Sequence, residues 1–166
     1  TSTSVSYMLI VMMEYLKEFA PTIVPELKTN PGIVIKEMDK ASAKVSNAVA
    51  YYMRSAIDNT GDEYITLNHL LLGNDNDVLG TLAHEGYPGH LYEYAHSKEL
   101  GLPNISKIMT STAHGEGWAM YVELALYEYA KGLSDNNMFS LVMDYMYANL
   151  LSGHLLETRL DAGIHL

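Results

Sequence analysis

"LAHEGYPGHLYEYAH", Leu82 to His96, is the stretch whose reading decides what this chain is. Three histidines and two glutamates occupy it, and Pro88-Gly89 interrupts them. A zinc-binding helix of the His-Glu-x-x-His kind places two imidazoles at i and i+4, about 40° apart around the axis. Here His84 and His90 are six positions apart. On an unbroken helix that leaves them about 120° apart, unable to share an ion. An unbroken helix is excluded, because Pro88 has no amide hydrogen for the carbonyl of His84 and its ring clashes there. Gly89 permits backbone angles that other residues resist. Without Pro88 and Gly89 the stretch reads His-Glu-Gly-Tyr-His. The pair is therefore expected to form a two-residue bulge that returns His90 to the face of His84, and such bulges often mark functional sites.

Two imidazoles need a third ligand. Glu116, in "AHGEGWAMYVE", is the candidate, expected near the start of the next helix. Gly115 and Gly117 flank it, which suggests close backbone approach. Two neutral histidines and one carboxylate leave a bound zinc positively charged, with a position open to water. Glu85, beside the first histidine, is placed to take the proton of that water. Glu123 lies about two turns beyond Glu116 and faces the same way, so it can hydrogen-bond a ligand histidine or form a solvated ion pair.

The composition narrows the alternatives. The 166 residues suit one domain, 1–166, and 48% of them are apolar, enough for a core. Twenty acids against ten bases disfavour nucleic acid, which needs clustered Lys and Arg. With no cysteine, disulfides, thiolate metal sites and a Cys nucleophile are excluded. No stretch is long and uncharged enough to span a bilayer. The start, Thr1-Ser2-Thr3-Ser4, lacks the positive flank of a signal peptide. A mature secreted chain would look the same, so the compartment stays open.

Along the chain, Ser4 can cap a helix through Tyr7, Ile10, Val11 and Phe19 that Pro21 and Pro25 stop. This helix is apolar on most sides, so it should be buried or face a missing N-terminal region or another copy. Residues 32–39 carry a β-branched run suited to a strand, and "EYITLN", Glu63 to Asn68, reads as a second. An exposed edge there could pair with an extended peptide, though an ordinary sheet edge is the simpler view. Helical patterning resumes after the Asn-Asp run at 74–77, with Asp75 or Asp77 as cap. Further helices are expected from Glu116 to Lys131 and from Ser134-Asp135 to the end. The last helix lacks a terminating signal and the first starts almost at once, so the chain is expected to be a piece of something longer. Trp118, Tyr121, Met143 and Met146 are expected in the core, while His69, His96, His114 and His154 are assigned no site.

The motifs together resemble a known family. His84-Glu85-Gly86-Tyr87-Pro88-Gly89-His90, then "EGWAMYVE" from Glu116, then "RLDAGIH" from Arg159 to His165, look like the bacterial domain-of-unknown-function family eight-eight-five, with its HExxPGH, EGWAxYxE and RxDxGxH signatures. The family is regarded as zincin-like and gluzincin-like in layout. The resemblance implies a mainly helical α+β fold with a small two- or three-stranded sheet, one zinc ion and peptide hydrolysis. It implies His84, His90 and Glu116 as ligands and Glu85 as base, with Arg159 and His165 holding the substrate or oxyanion. "EYITLN" resembles the strand that precedes the family's metal helix. Asp161 and His165 stand at i, i+4, so Asp161 can orient that imidazole. Members are longer, and this chain then corresponds to a C-terminal-half fragment. Leu91 stands where many members carry another histidine. Two other readings remain: a non-catalytic helical fragment with a vestigial metal site, and a di-iron carboxylate protein built on Glu93 and His96. The latter needs two Glu-x-x-His motifs, and the chain has one.

Overall fold

Pro88 breaks the helix more widely than a bulge would. In the computed structural model, which describes residues 2–29, 31–72, 77–109 and 111–165, α3 runs Val78–Glu85 and α4 runs His90–Glu99. Residues 86–89 join them as a turn, so the expected two-residue bulge is in fact a four-residue corner between two helices. Asp77 caps α3, its carboxylate accepting the Gly80 amide at 3.0 Å, which satisfies one orphan donor of the first turn. Asp75, the other cap candidate, lies outside the described residues.

The remaining elements are α1 (Ser2–Phe19), a 3-10 turn (Ala20–Thr22), β1 (Ile33–Glu37), α2 (Lys40–Val45), β2 (Ala50–Tyr52), β3 (Glu63–Leu67), α5 (Asn104–Ile108), α6 (Thr112–Gly132) and α7 (Asn137–His165). This is a predominantly helical α+β arrangement with a small mixed sheet. The chain divides into two compact units, residues 1–122 and 123–166.

In the first unit the sheet order is β1-β3-β2. β1 runs parallel to β3 and β2 antiparallel to it, with Ile35 and Tyr52 both in register with Ile65. The strand expected over Glu63–Asn68 is thus the central one. β1 pairs it along Glu63–Leu67 and β2 along Ile65–Leu67, so it is not an edge strand, and the edges belong to β1 and β2. Strand periodicity places Glu63, Ile65 and Leu67 on one face, and all three are buried while Tyr64 is exposed.

α1 begins at Ser2, so Ser4 lies inside the helix rather than at its cap. Leu9, Met13, Leu16 and Phe19 form its buried stripe, and Ile10 and Val11 stay exposed. This stripe packs against α3. α4 buries Leu91, Tyr92, Tyr94 and Ala95. Leu91, in the place of the family's frequent second histidine, is fully buried; a leucine so placed contributes about 1.5–3 kcal/mol. Tyr92 and Ala95 join Ala20, Val24 and Leu27 in one cluster, with Trp118 against it.

In the second unit, Leu126, Tyr127 and Ala130 of α6 are buried. Asn136 caps α7, its side chain accepting the Met138 amide at 2.9 Å. α7 has no buried residue. Met143 and Met146, expected in the core, are only half-buried. Tyr121, in the first unit, is likewise a correction, being half exposed. Among the described residues no helix is long and apolar enough to cross a membrane.

Candidate metal centre

The corner from Gly86 to Gly89 determines where the two imidazoles meet. Gly89 has a negative φ of −78°, so a left-handed backbone is not what demands glycine there. Proximity is: a Cβ at Gly89 would run into the backbone carbonyl oxygens of Ala83 and His84. At Gly86 a Cβ would meet Leu82 O and Ile65 Cδ1, each at 2.7 Å. The start of α4 is therefore pressed onto the end of α3. His90 ends up beside His84, with ring centroids 4.7 Å apart and planes at 86°.

α6 brings the third group. His84 Nε2 lies 3.4 Å from Glu116 Oε2, and His90 Nε2 lies 3.5 Å from Glu116 Oε1. Each carboxylate oxygen thus faces one imidazole. The indole N–H of Trp118 donates to the carbonyl of Pro88 at 3.0 Å, which ties α6 to the corner. The flanking glycines act differently from expectation. A Cβ at Gly117 would meet nothing, and one at Gly115 would make only ordinary contact with His90 and Arg54. Close approach of α6 does not depend on them.

Glu85 completes the group. The ligand atoms of His84, Glu85 and His90 lie within 4.8 Å of one another. Glu85 Oε2 accepts the main-chain N–H of Tyr52, on β2, at 2.8 Å. The side chain of Glu116 is 58% exposed, against 23% and 17% for His84 and His90. Solvent therefore reaches the cluster from the Glu116 side.

The donor set fits zinc. Tetrahedral bonds of about 2.0–2.1 Å place neighbouring ligand atoms about 3.3–3.4 Å apart. The two Glu116–imidazole separations, each to a different carboxylate oxygen, are of that size. Nitrogen and carboxylate donors without sulfur also suit iron or manganese.

Sequence reasoning missed the residues behind this cluster. Glu63 is fully buried and takes bonds from Lys98 Nζ at 2.7 Å, Ser55 Oγ at 2.7 Å and Tyr52 OH at 2.9 Å. Burial by itself raises the pKa of Glu63, but the bonds from Lys98, Ser55 and Tyr52 outweigh it and hold the carboxyl below its ordinary value. Burial, then the Glu63 carboxylate, pushes the Tyr52 phenol well above the usual tyrosine range. Tyr94 OH closes the network on the carbonyl of Ser55 at 2.7 Å. A signal was present: period two in "EYITL" puts Glu63 on the face of Ile65 and Leu67, where an acid must find partners.

Of the other sequence candidates, Glu123, Arg159, Asp161 and His165 belong to the second unit. Glu123 is buried. On α7, Asp161 Oδ1 and His165 Nε2 stand 3.7 Å apart with both side chains well exposed, and Arg159 is exposed. Glu93 and His96, the di-iron pair, are engaged elsewhere: Glu93 with Arg54 at 3.4 Å and His96 stacked on Tyr92.

A family model described as "Bacterial protein of unknown function (DUF885)" matches residues 8–165, and the chain belongs to that family. Among solved structures, one described as "the putative lipoprotein from Colwellia psychrerythraea" is similar in fold, with a TM-score of 0.69 and 22% identity. The match covers 90% of this chain and 26% of that one, so the chain spans about a quarter of that neighbour's length. A search of curated proteins returns no match.

Proposed function

We propose that the chain carries the zinc centre of a metallopeptidase, with His84, His90 and Glu116 as ligands and Glu85 as general base. The observation that carries this reading is the pair of separations from Glu116, 3.4 Å to His84 Nε2 and 3.5 Å to His90 Nε2. One Glu116 oxygen and two imidazoles would fill three vertices of a tetrahedral zinc and leave a fourth for water or substrate. The choice of Glu116 rather than Glu85 as ligand rests on direction: Glu116 offers one oxygen to each imidazole, whereas Glu85 has one oxygen committed to Tyr52.

A zinc ion held there would supply Lewis acidity, to polarise a scissile carbonyl and acidify the attacking water. Glu85 then acts as the general base. It removes a proton from that water and returns it to the leaving amine, so the carboxylate is regenerated at the end of a turnover. The exposed side of Glu116 is where an extended peptide would enter. For Arg159, His165, Asp161 and Glu123 the assignment of substrate-holding, oxyanion and supporting roles rests on the sequence motifs.

The test is Glu85→Gln. It keeps an oxygen for the Tyr52 amide and removes the base. Zinc content should stay at one ion per chain, and hydrolysis of a mixed peptide library should fall by about two to four orders of magnitude. A variant that hydrolyses peptides at the parent rate would exclude Glu85 as the base.

A further inference from the structure

Resting on the reading of Glu85 as base, we propose that Tyr52 and Glu63 are its positioning residues, acting as a relay that runs from α4 to the carboxylate. Two hydrogen bonds of Tyr52 link the base to Glu63. The Tyr52 main-chain N–H holds Glu85 Oε2 at 2.8 Å, and its phenol O–H holds Glu63 Oε2 at 2.9 Å. The first fixes the rotation of the Glu85 carboxylate.

A main-chain donor aims only as well as its strand is held. β2 is three residues long and lies at the sheet edge, where local opening costs least. Pairing with β3 alone is a weak anchor for it. The phenol supplies the second anchor, and it ends on a carboxylate that is buried and bonded on its other oxygen. Glu63 is pinned through Oε1 by Lys98 and Ser55, and Lys98 Nζ also reaches Ser55 Oγ at 3.2 Å. Lys98 and Tyr94 both come from α4, the helix that starts with His90. One helix therefore sets an imidazole at its first residue and, through Glu63 and Tyr52, the base.

A network that only stabilised the fold would leave catalysis per folded, zinc-loaded molecule untouched. Tyr52→Phe separates the two cases, because it removes one hydroxyl and keeps both the ring and the main-chain donor. Three quantities are read on the full chain: zinc affinity by calorimetry, kcat and KM on a peptide, and the hydrogen-exchange rate of the Tyr52 amide in metal-free protein by NMR. Zinc affinity and KM should match the parent. The value of kcat should drop about tenfold and the Tyr52 amide should exchange about tenfold faster, while the Ile65 amide keeps its rate. Glu85→Ala, as the reference, should release the same amide. Should Tyr52→Phe fail to fold, Ser55→Ala loosens Glu63 from its opposite oxygen and carries the same expectation at about threefold. Unchanged kcat or unchanged Tyr52 exchange overturns the proposal. A parent chain that binds zinc but cleaves no peptide overturns the Glu85 reading instead, and the exchange rates, which need no turnover, still decide whether Glu63 steadies Tyr52.

Discussion

His84 and His90 stand edge to face, ring centroids 4.7 Å apart, although their spacing in sequence would set them on different sides of a continuous helix. The corner at Gly86 to Gly89 achieves this by pressing the first turn of α4 onto the last carbonyls of α3. The imidazoles are neighbours because two backbones touch, and only a residue without a side chain lets them touch.

Gly89→Ala should therefore be severe. The added methyl meets the carbonyl oxygens of Ala83 and His84, and backbone cannot rotate away as a side chain can. The chain should lose about 1–3 kcal/mol of stability, the usual cost of overpacking, and zinc affinity should fall with it. Thermal melts with and without zinc check this. A variant whose melting temperature and zinc response equal the parent's would contradict the close approach.

Trp118→Phe tests the link between α6 and the corner. It keeps aromatic bulk beside Tyr92 and deletes the bond from Nε1 to the Pro88 carbonyl. The carbonyl left without its donor should cost about 1–3 kcal/mol. Because the same bond steadies Glu116 over the imidazoles, zinc titration should show weaker binding in the variant. Equal affinity would mean that the rest of α6 positions Glu116 unaided.

Lys98→Met leaves the Glu63 carboxylate buried without its cation, and should destabilise the chain by about 3–5 kcal/mol. The pH dependence has a definite sign. In the parent, Glu63 titrates below its unfolded value of about 4.3. Its contribution is thus complete above that value and disappears as pH falls through the lowered folded pKa. In Lys98→Met the unpaired acid should titrate above the unfolded value, so stability should rise as pH falls from neutrality towards 5. Urea midpoints across that range decide it, and parallel profiles for parent and variant would rule the pairing out. Glu63→Gln combined with Lys98→Met should recover much of the loss, since no buried charge remains.

Much of this was legible because chemistry and periodicity coincided. His84, Glu85, His90 and Glu116 could be singled out by residue type and by the need to break a helix at Pro88. The strands at Ile33–Glu37 and Glu63–Leu67 followed from β-branched and alternating patterns. β2 was not legible: three residues, Ala50-Tyr51-Tyr52, carry too little pattern to separate from their small and aromatic surroundings. Its role also depends on a main-chain amide, which every residue except proline has and no sequence advertises. The order β1-β3-β2 was hidden for another reason, because pairing partners are set by tertiary contacts rather than by the strand's own residues. The flanks Gly115 and Gly117 misled in the opposite direction. They resemble a close-packing signal, and the space beside them is open or ordinary.

The most direct measurement is the zinc content of the purified chain, beside that of His90→Ala, by elemental analysis after equilibration with limiting zinc. The arrangement of His84, His90 and Glu116 predicts one ion per parent chain and a near-complete loss in His90→Ala, with the fold retained by circular dichroism. A parent that takes up no zinc, or a variant that holds as much as the parent, would contradict it.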